Sequence, residues 1–306
     1  MKKIGKVIAN PYAIYNVIAE KGLTNWISDE SHLKLMYRAN VGSWPDLECP
    51  RTFNEKLQWL KIHDRNPLYT TLVDKLRVKE WVASRIGAEH VTQTYAVWDR
   101  VEDIDISKLP DRFVLKTNHD CGGIAICSDR RSFNLEAAKM KLAKHLRINY
   151  YWRTREWPYR SVRPCVFAEE YIEPDDGIDL EDYKLFRFSN GRIVTLLMTD
   201  RFTESRLTKT FFDEEWRPLE LTEGGHPVKL DSPVPRRFGE MKVFANRLAE
   251  GLPFARVDYY ETSERLLFGE LTLYPNAGFE RFNPVDWDVT FGSWIDLACS
   301  GLASHD

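Results

Sequence analysis

Apolar and polar residues follow two rhythms along this chain, and their order already sorts the elements. Short runs that alternate or stay apolar predict strands at Phe113-Val114-Leu115, Ile124-Ala125-Ile126, Cys165 to Ala168, Asp182 to Phe188, Arg192 to Met198, Phe254 to Tyr260 and Leu266 to Leu273. Ser189-Asn190-Gly191 reads as the turn of one hairpin and Glu261-Thr262-Ser263-Glu264 as the turn of another. Helical spacing joins Phe53, Leu57 and Leu60 behind a Thr52-Phe53-Asn54-Glu55 capping box, with Lys56, Trp59 and Lys61 on the other sides of that helix. A second helix runs from Asp74 through Val78, Trp81 and Val82 to Gly87, a third over 134–148, and a last one through Met241, Phe244, Ala245 and Leu248, stopped by Gly251. Residues 1 to about 50 read as mixed helical segments, and Phe202 to Gly225 as a loop-rich stretch able to cover a site.

Charges placed where burial is expected carry the chemistry. Asp258 and Glu270 interrupt the two strands of the last hairpin, and buried carboxylates are costly unless a cation meets them. Oxygen ligands of this kind suit Mg²⁺, which takes a few carboxylates together with phosphate oxygens. Arg256 shares the face of Asp258 at period two, a guanidinium suited to an anionic transition state. Asp182 and Lys184, and Arg201 at the end of the next strand, line one face in the same way. Lys75 in a first helical turn opposes the helix dipole unless an anion lies nearby. Lys116 closes an apolar strand just before Gly122-Gly123, where backbone N–H groups can approach phosphate; the glycine spacing is not that of a P-loop. Tyr150 to Arg163 interleaves four arginines with aromatics, a candidate for an acidic group or a sugar and equally a solvated loop.

Composition narrows the classes. The 306 residues carry a net charge of −3, which gives no argument for nucleic acid or a membrane surface. Five scattered cysteines without a CxxC pair read as free thiols in a reducing compartment. The start is not a signal peptide and no run reaches membrane-spanning length, so the expected location is cytoplasmic.

Taken in order, these pieces resemble the ATP-grasp superfamily, and the full-length pattern is similar to its TupA-like branch, associated with teichuronopeptide and other surface-polysaccharide synthesis. The resemblance is carried by Thr52 to Leu60, Asp74-Lys75, Phe113 to His119 with Gly122-Gly123, Glu169 to Ile172, Asp182 to Lys184, Asp200-Arg201, Arg256 to Asp258 and Gly269 to Thr272 with Pro275 and Gly278, over roughly residues 45–297. It implies an α+β, ATP-grasp fold: two α+β subdomains clasping a nucleotide, at 74–172 with the glycine-rich flap and 173–306 with the metal site, behind a mostly helical region at 1–73. It implies ATP and Mg²⁺ as cofactors. Lys75 and Lys116 are similar to the phosphate-binding lysines, and the flap from Asn118 to Gly123 includes His119, Gly122 and Gly123. Glu169, Glu170, Tyr171 and Ile172 resemble the adenine hinge, acting through backbone groups, and Asp182 the acid near the ribose. Lys184 and Arg201 are similar to basic residues facing the phosphates or an acyl phosphate, Asp258 and Glu270 to the metal carboxylates, and Arg256 to the transition-state arginine. Thr272 stands where many of these enzymes have Asn, which puts a second Mg²⁺ in question, with Asn276 as the alternative ligand; Cys121 stands where the flap often has Ser. The implied activity is ATP-dependent ligation of a carboxylate, such as a uronic acid or amino acid, to an amine through an acyl phosphate, with a nucleotide-sugar or glycan precursor as a further partner. A sugar kinase or glycosyl-transfer-associated enzyme is the rival enzymatic reading, and a non-catalytic nucleotide-binding scaffold the rival of another class.

Overall fold

A computed structural model describes residues 11–175, 180–199 and 207–299. Two N-terminal helices, α1 (Ala13–Glu20) and α2 (Asp29–Asn40), precede α3 (Phe53–His63), which starts at the expected capping box: Thr52 and Glu55 bond each other's backbone. A single turn α4 (Tyr69–Leu72) leads to α5 (Val78–Ile86). Asp74 Oδ1 accepts the N–H groups of Leu76 and Arg77, so Lys75 sits in a tight turn ahead of the helix and not in its first turn. Val78, Val82 and Ile86 anchor α5 in the larger of the two apolar cores.

The first sheet comprises β1 (Thr94–Trp98), β2 (Phe113–Thr117), β3 (Ile124–Cys127) and β4 (Val166–Glu170), in the antiparallel order β1-β4-β2-β3. Phe113, Leu115, Val166 and Ala168 bury against Leu142 of α6 (Leu135–Leu146), forming the smaller core. The second sheet contains β5 (Asp182–Phe188), β6 (Ile193–Thr199) and β7 (Thr208–Phe212). After a short β8 (Thr222–Glu223) and helix α8 (Phe238–Leu248) come β9 (Phe254–Glu261) and β10 (Leu266–Thr272). The antiparallel order is β10-β9-β5-β6-β7. β11 (Phe282–Asn283) pairs with β8, and α9 (Asp286–Ser293) follows. The stretch expected to be loop-rich therefore contributes β7 and β8, and α8 is not the last helix. Among the described residues no helix is long and apolar enough to cross a membrane.

One face of the second sheet is divided. Toward one end Phe186, Phe188 and Phe254 surround Phe53 of α3, with ring centroids 5.0–6.5 Å away. Two to four residues further along the same strands, side-chain alternation places Lys184, Asp182, Arg256 and Asp258 on that face. Beyond its apolar stripe, α3 buries Lys61 as well, against the expectation of an outward side chain. Its ammonium donates to Gln58 Oε1 and to the carbonyls of Thr154 and Ala277, at 2.7–3.1 Å, which compensates the burial.

The basic-aromatic segment is no solvated loop either. It forms α7 (Tyr150–Thr154) and a 3₁₀ turn, and Arg155 is 1% exposed, bonding the carbonyls of Thr24 and Ile27 and pairing with Asp29. Arg155 thus pins the N-terminal helices to the body of the protein.

Phe53→Ala should cost about 3–5 kcal/mol of unfolding free energy in urea denaturation, the range for a fully buried aromatic ring. A loss below about 1 kcal/mol would mean that α3 does not hold the divided face together.

Candidate active site

The register of the last hairpin decides the site. β9 and β10 pair Phe268 with Tyr259 and then Glu270 with Asp258, so Gly269 is an extra residue in the ladder. Without that bulge Glu270 would oppose Val257 and point to the other face; with it, both carboxylates share one face. A side chain at Gly269 would place its Cβ 2.9 Å from the Tyr260 ring. On the other side of β9, Asp258 pairs with Lys184 of β5 and Asp182 with Tyr260.

These charges form a closed lattice. Lys184 Nζ lies 2.5 Å from Asp258 and 2.7 Å from Asp182. Arg256 grips Asp258 with two bonds of 2.7 and 2.8 Å, donates to Thr272 Oγ1 at 3.0 Å, and reaches Glu270 at 3.8 Å. Lys75 pairs with Glu270 at 2.9 Å and donates to the Asp120 carbonyl at 2.6 Å. Burial pushes the Glu270 carboxyl up, but Lys75 and Arg256 outweigh it and hold it at about 2. Burial likewise raises Asp182, with Lys184 opposing.

The first sheet supplies the facing wall. Glu169, 4% exposed, pairs with Lys116 and, at 2.6 Å, with Lys79. Burial raises its carboxyl, and Lys116 with Lys79 bring it down to about 2. Glu169 is thus a side-chain anchor for two lysines, and its backbone lies within the ladders to β1 and β2. The Glu170 N–H bonds Gln93 O at 2.9 Å. The backbone of Tyr171 and Ile172 lies past the last ladder pair, Phe113 with Glu170.

The flap between β2 and β3 is braced from within. Asp120 accepts from the Thr117 hydroxyl and contacts His145, and the Lys75 N–H bonds Asn118 O at 2.8 Å. A Cβ at Gly123 would lie 1.9 Å from Thr117 Oγ1, so glycine is required there by space alone. His119 is not brought to the cleft: it is buried, and its ring nitrogens meet Ile148 O at 2.9 Å and Asn118 Oδ1 at 3.3 Å. Asn276 bonds Glu223 and Glu280, away from Asp258 and Glu270. Arg201 lies outside the described residues.

A cleft of about 360 Å³, lined by Lys75, Lys79, Lys116, Lys184, Asp258 and Glu270, separates the two sheets. It opens into a recess of about 780 Å³ that shares Lys116, Glu169 and Ile172 and is walled by apolar side chains such as Val114 and Ala138. An open groove of about 670 Å³ beside Trp287 and Trp294 brings together none of these charges. Lys79 is absent from the motifs of the sequence; its one signal there is its place four residues after Lys75, one turn on. Among the described residues no group of three or more His, Cys, Asp or Glu is placed to hold a metal by itself. Two carboxylates on one face fit Mg²⁺, which completes its shell with phosphate and water oxygens.

Two sheets facing each other across a cation-lined cleft, with a glycine flap and a paired-carboxylate hairpin, define an ATP-grasp enzyme. The TupA-like ATP-grasp family model matches residues 55–296, and the chain belongs to that family. A search of the curated proteins finds no match. Among solved structures the chain is similar to D-alanine-D-alanine ligase from Helicobacter pylori, at 10% identity and TM-score 0.44, over 80% of this chain and 69% of that one. It is similar also to N5-carboxyaminoimidazole ribonucleotide synthetase from Thermus thermophilus, at 15% identity and TM-score 0.37, over 79% and 52%. The ATP-grasp ligase PsnB, complexed with minimal precursor, Mg and ADP, gives 10% and 0.38 over 72% and 57%, so the chain spans little more than half the length of these last two. The family match, and not these distant likenesses, carries the assignment.

Glu169 supplies a pH test. Its folded value of about 2 lies below its ordinary 4.5, so its stabilisation is present above 4.5 and is lost as pH falls toward 2. The difference in unfolding free energy between wild type and Glu169→Gln should be largest at neutral pH and shrink between pH 4.5 and 2. A difference constant across that window would refute the pairing.

Proposed function

We propose that this chain is an ATP-dependent carboxylate–amine ligase acting on a sugar acid or amino acid in surface-polysaccharide synthesis, in the cytoplasm. The observation that carries the reading is the meeting of Lys75, Lys116 and Lys184 with Asp258 and Glu270 in one cleft, with Arg256 bonded to Asp258. Phosphoryl transfer requires little beyond positioning and charge stabilisation, and cations around a carboxylate pair supply both. Lys75 and Lys116 hold the phosphates, the Tyr171–Ile172 backbone receives the base, and Asp258 with Glu270 would hold Mg²⁺. Bound there, the ion neutralises charge on the phosphate oxygens.

The substrate carboxylate oxygen attacks the γ-phosphorus and ADP leaves. The amine nitrogen then attacks the acyl carbon, its proton is lost, and inorganic phosphate departs with the bonding pair. Arg256, fixed by Asp258 and Thr272, faces the oxyanion of that second step.

Purified protein with Mg²⁺ and ATP should release ADP and free phosphate when given the matching acid and amine from a panel of uronic acids, amino acids and amines. Arg256→Met should lower kcat by about 10²–10³-fold, as for loss of an oxyanion donor. Phosphate retained on a sugar product would instead establish a kinase, and ATP binding without turnover across the whole panel a scaffold.

A further inference from the structure

Lys79 lines the nucleotide cleft, yet the ligase reading gives it no part. It stands in the first turn of α5, and its ammonium reaches the β1 edge of the first sheet. There it donates to Thr92 O and Thr94 Oγ1, each at 3.0 Å, and pairs with Glu169 Oε2 at 2.6 Å. The Phe167 ring centroid lies 5.2 Å from the same charge. An ammonium has three donors, so Lys79 has none left for a guest. Lys116, by contrast, pairs only with Glu169 Oε1 among the described residues. Two of its donors remain for a phosphate.

Glu169 is therefore divided between a fixed cation and a movable one. Thr92 Oγ1 also donates to Oε2 at 3.0 Å, so that oxygen is served without Lys116. If Lys116 were the only countercharge, moving it to a phosphate would strand a buried carboxylate, which is costly. With Lys79 in place, the same move leaves the charge of Glu169 compensated. The two ammonium groups also repel each other across the carboxylate. Burial pulls Lys79 below its ordinary value, Glu169 opposes the fall and Lys116 adds to it. Departure of Lys116 relieves that repulsion. We propose that Lys79 is a positioning residue: it stays on Glu169 and neutralises it, so that Lys116 can leave that carboxylate for the nucleotide phosphates. The inference rests on the ligase reading for the role of Lys116 and adds how that lysine is released.

Full-length protein with Mg²⁺ is titrated with a non-hydrolysable ATP analogue. Lys79→Met should weaken binding roughly tenfold or more, the worth of one hydrogen bond to a charged group, because Lys116 then stays with Glu169. Adding Glu169→Gln should restore wild-type affinity, and Glu169→Gln alone should bind no more weakly than wild type. With Lys116→Met already in place, Lys79→Met should cost nothing further. A lysine that touches phosphate itself, or merely supports the fold, would weaken binding alike in both backgrounds, and that result would overturn the proposal. So would an affinity unchanged by Lys79→Met. Should Lys79→Met fail to fold, Glu169→Gln is compared with the doubly neutral Lys79→Met/Glu169→Gln: equal affinity is expected, and a loss on removing Lys79 there would refute its action through Glu169. A wild type that binds no analogue overturns the nucleotide site, and the ligase reading with it.

Discussion

The most deeply buried carboxylates of the cleft are each met by a cation, and the need to compensate them organises it. Asp182, Asp258 and Glu169 are each no more than 4% exposed. An isolated buried charge costs several kcal/mol, so each must have a cation in direct contact. Lys184 lies between Asp182 and Asp258 and serves both. Removing that lysine would strand two charges, whereas removing a surface partner would strand none. Coulomb attraction falls with distance, so this compensation demands the close spacing that the strand registers provide.

The architecture that maintains these registers is largely apolar and lies beside the charges. Phe53 holds one end of the divided sheet face, and the same helix reaches past the charged end with Gln58 and Lys61. Those two side chains take the carbonyls of Ala277 and Gly278, in the turn that follows β10. Asp288 of α9 in turn accepts the Asn54 N–H at 3.0 Å. One helix therefore ties the core to the exit of the strand that carries Glu270 and Thr272. The polar residues of α3 are as structural as its apolar ones.

How much of this is legible in the sequence depends on whether the signal is local. Period-two patterning marks the strands, and Asp258, Arg256 and Lys184 fall on one face because alternation is a local property. Glu270 lies in the neighbouring strand and joins them only through the extra residue at Gly269. The bulge that brings it there escapes the pattern of apolar positions, although a glycine inside a strand is its usual mark. Helical period assigns Lys61 to an outer flank of α3. What buries it is contact with Thr154 and Ala277, both far away in sequence. His119 sits in the flap by sequence, yet its ring is claimed by the Ile148 carbonyl, a partner no motif displays. Arg155 is the same case in reverse, a charge that reads as available and is held by the backbone of the N-terminal region.

The balance of charge in the cleft then bears on what it accepts. Lys75, Lys79, Lys116, Lys184 and Arg256 face Glu169, Asp182, Asp258 and Glu270, five cations against four carboxylates. A metal ion at Asp258 and Glu270 would deepen the positive surplus, and a polyphosphate would reverse it. The two guests are thus favourable together and less so apart, since each offsets the field that the other creates. Lys75 conveys this to the flap, because it binds Glu270 with its ammonium while its backbone and side chain donate to Asn118 and Asp120. A displacement of Lys75 from Glu270 would therefore pull also on the loop that holds Asn118 and Asp120.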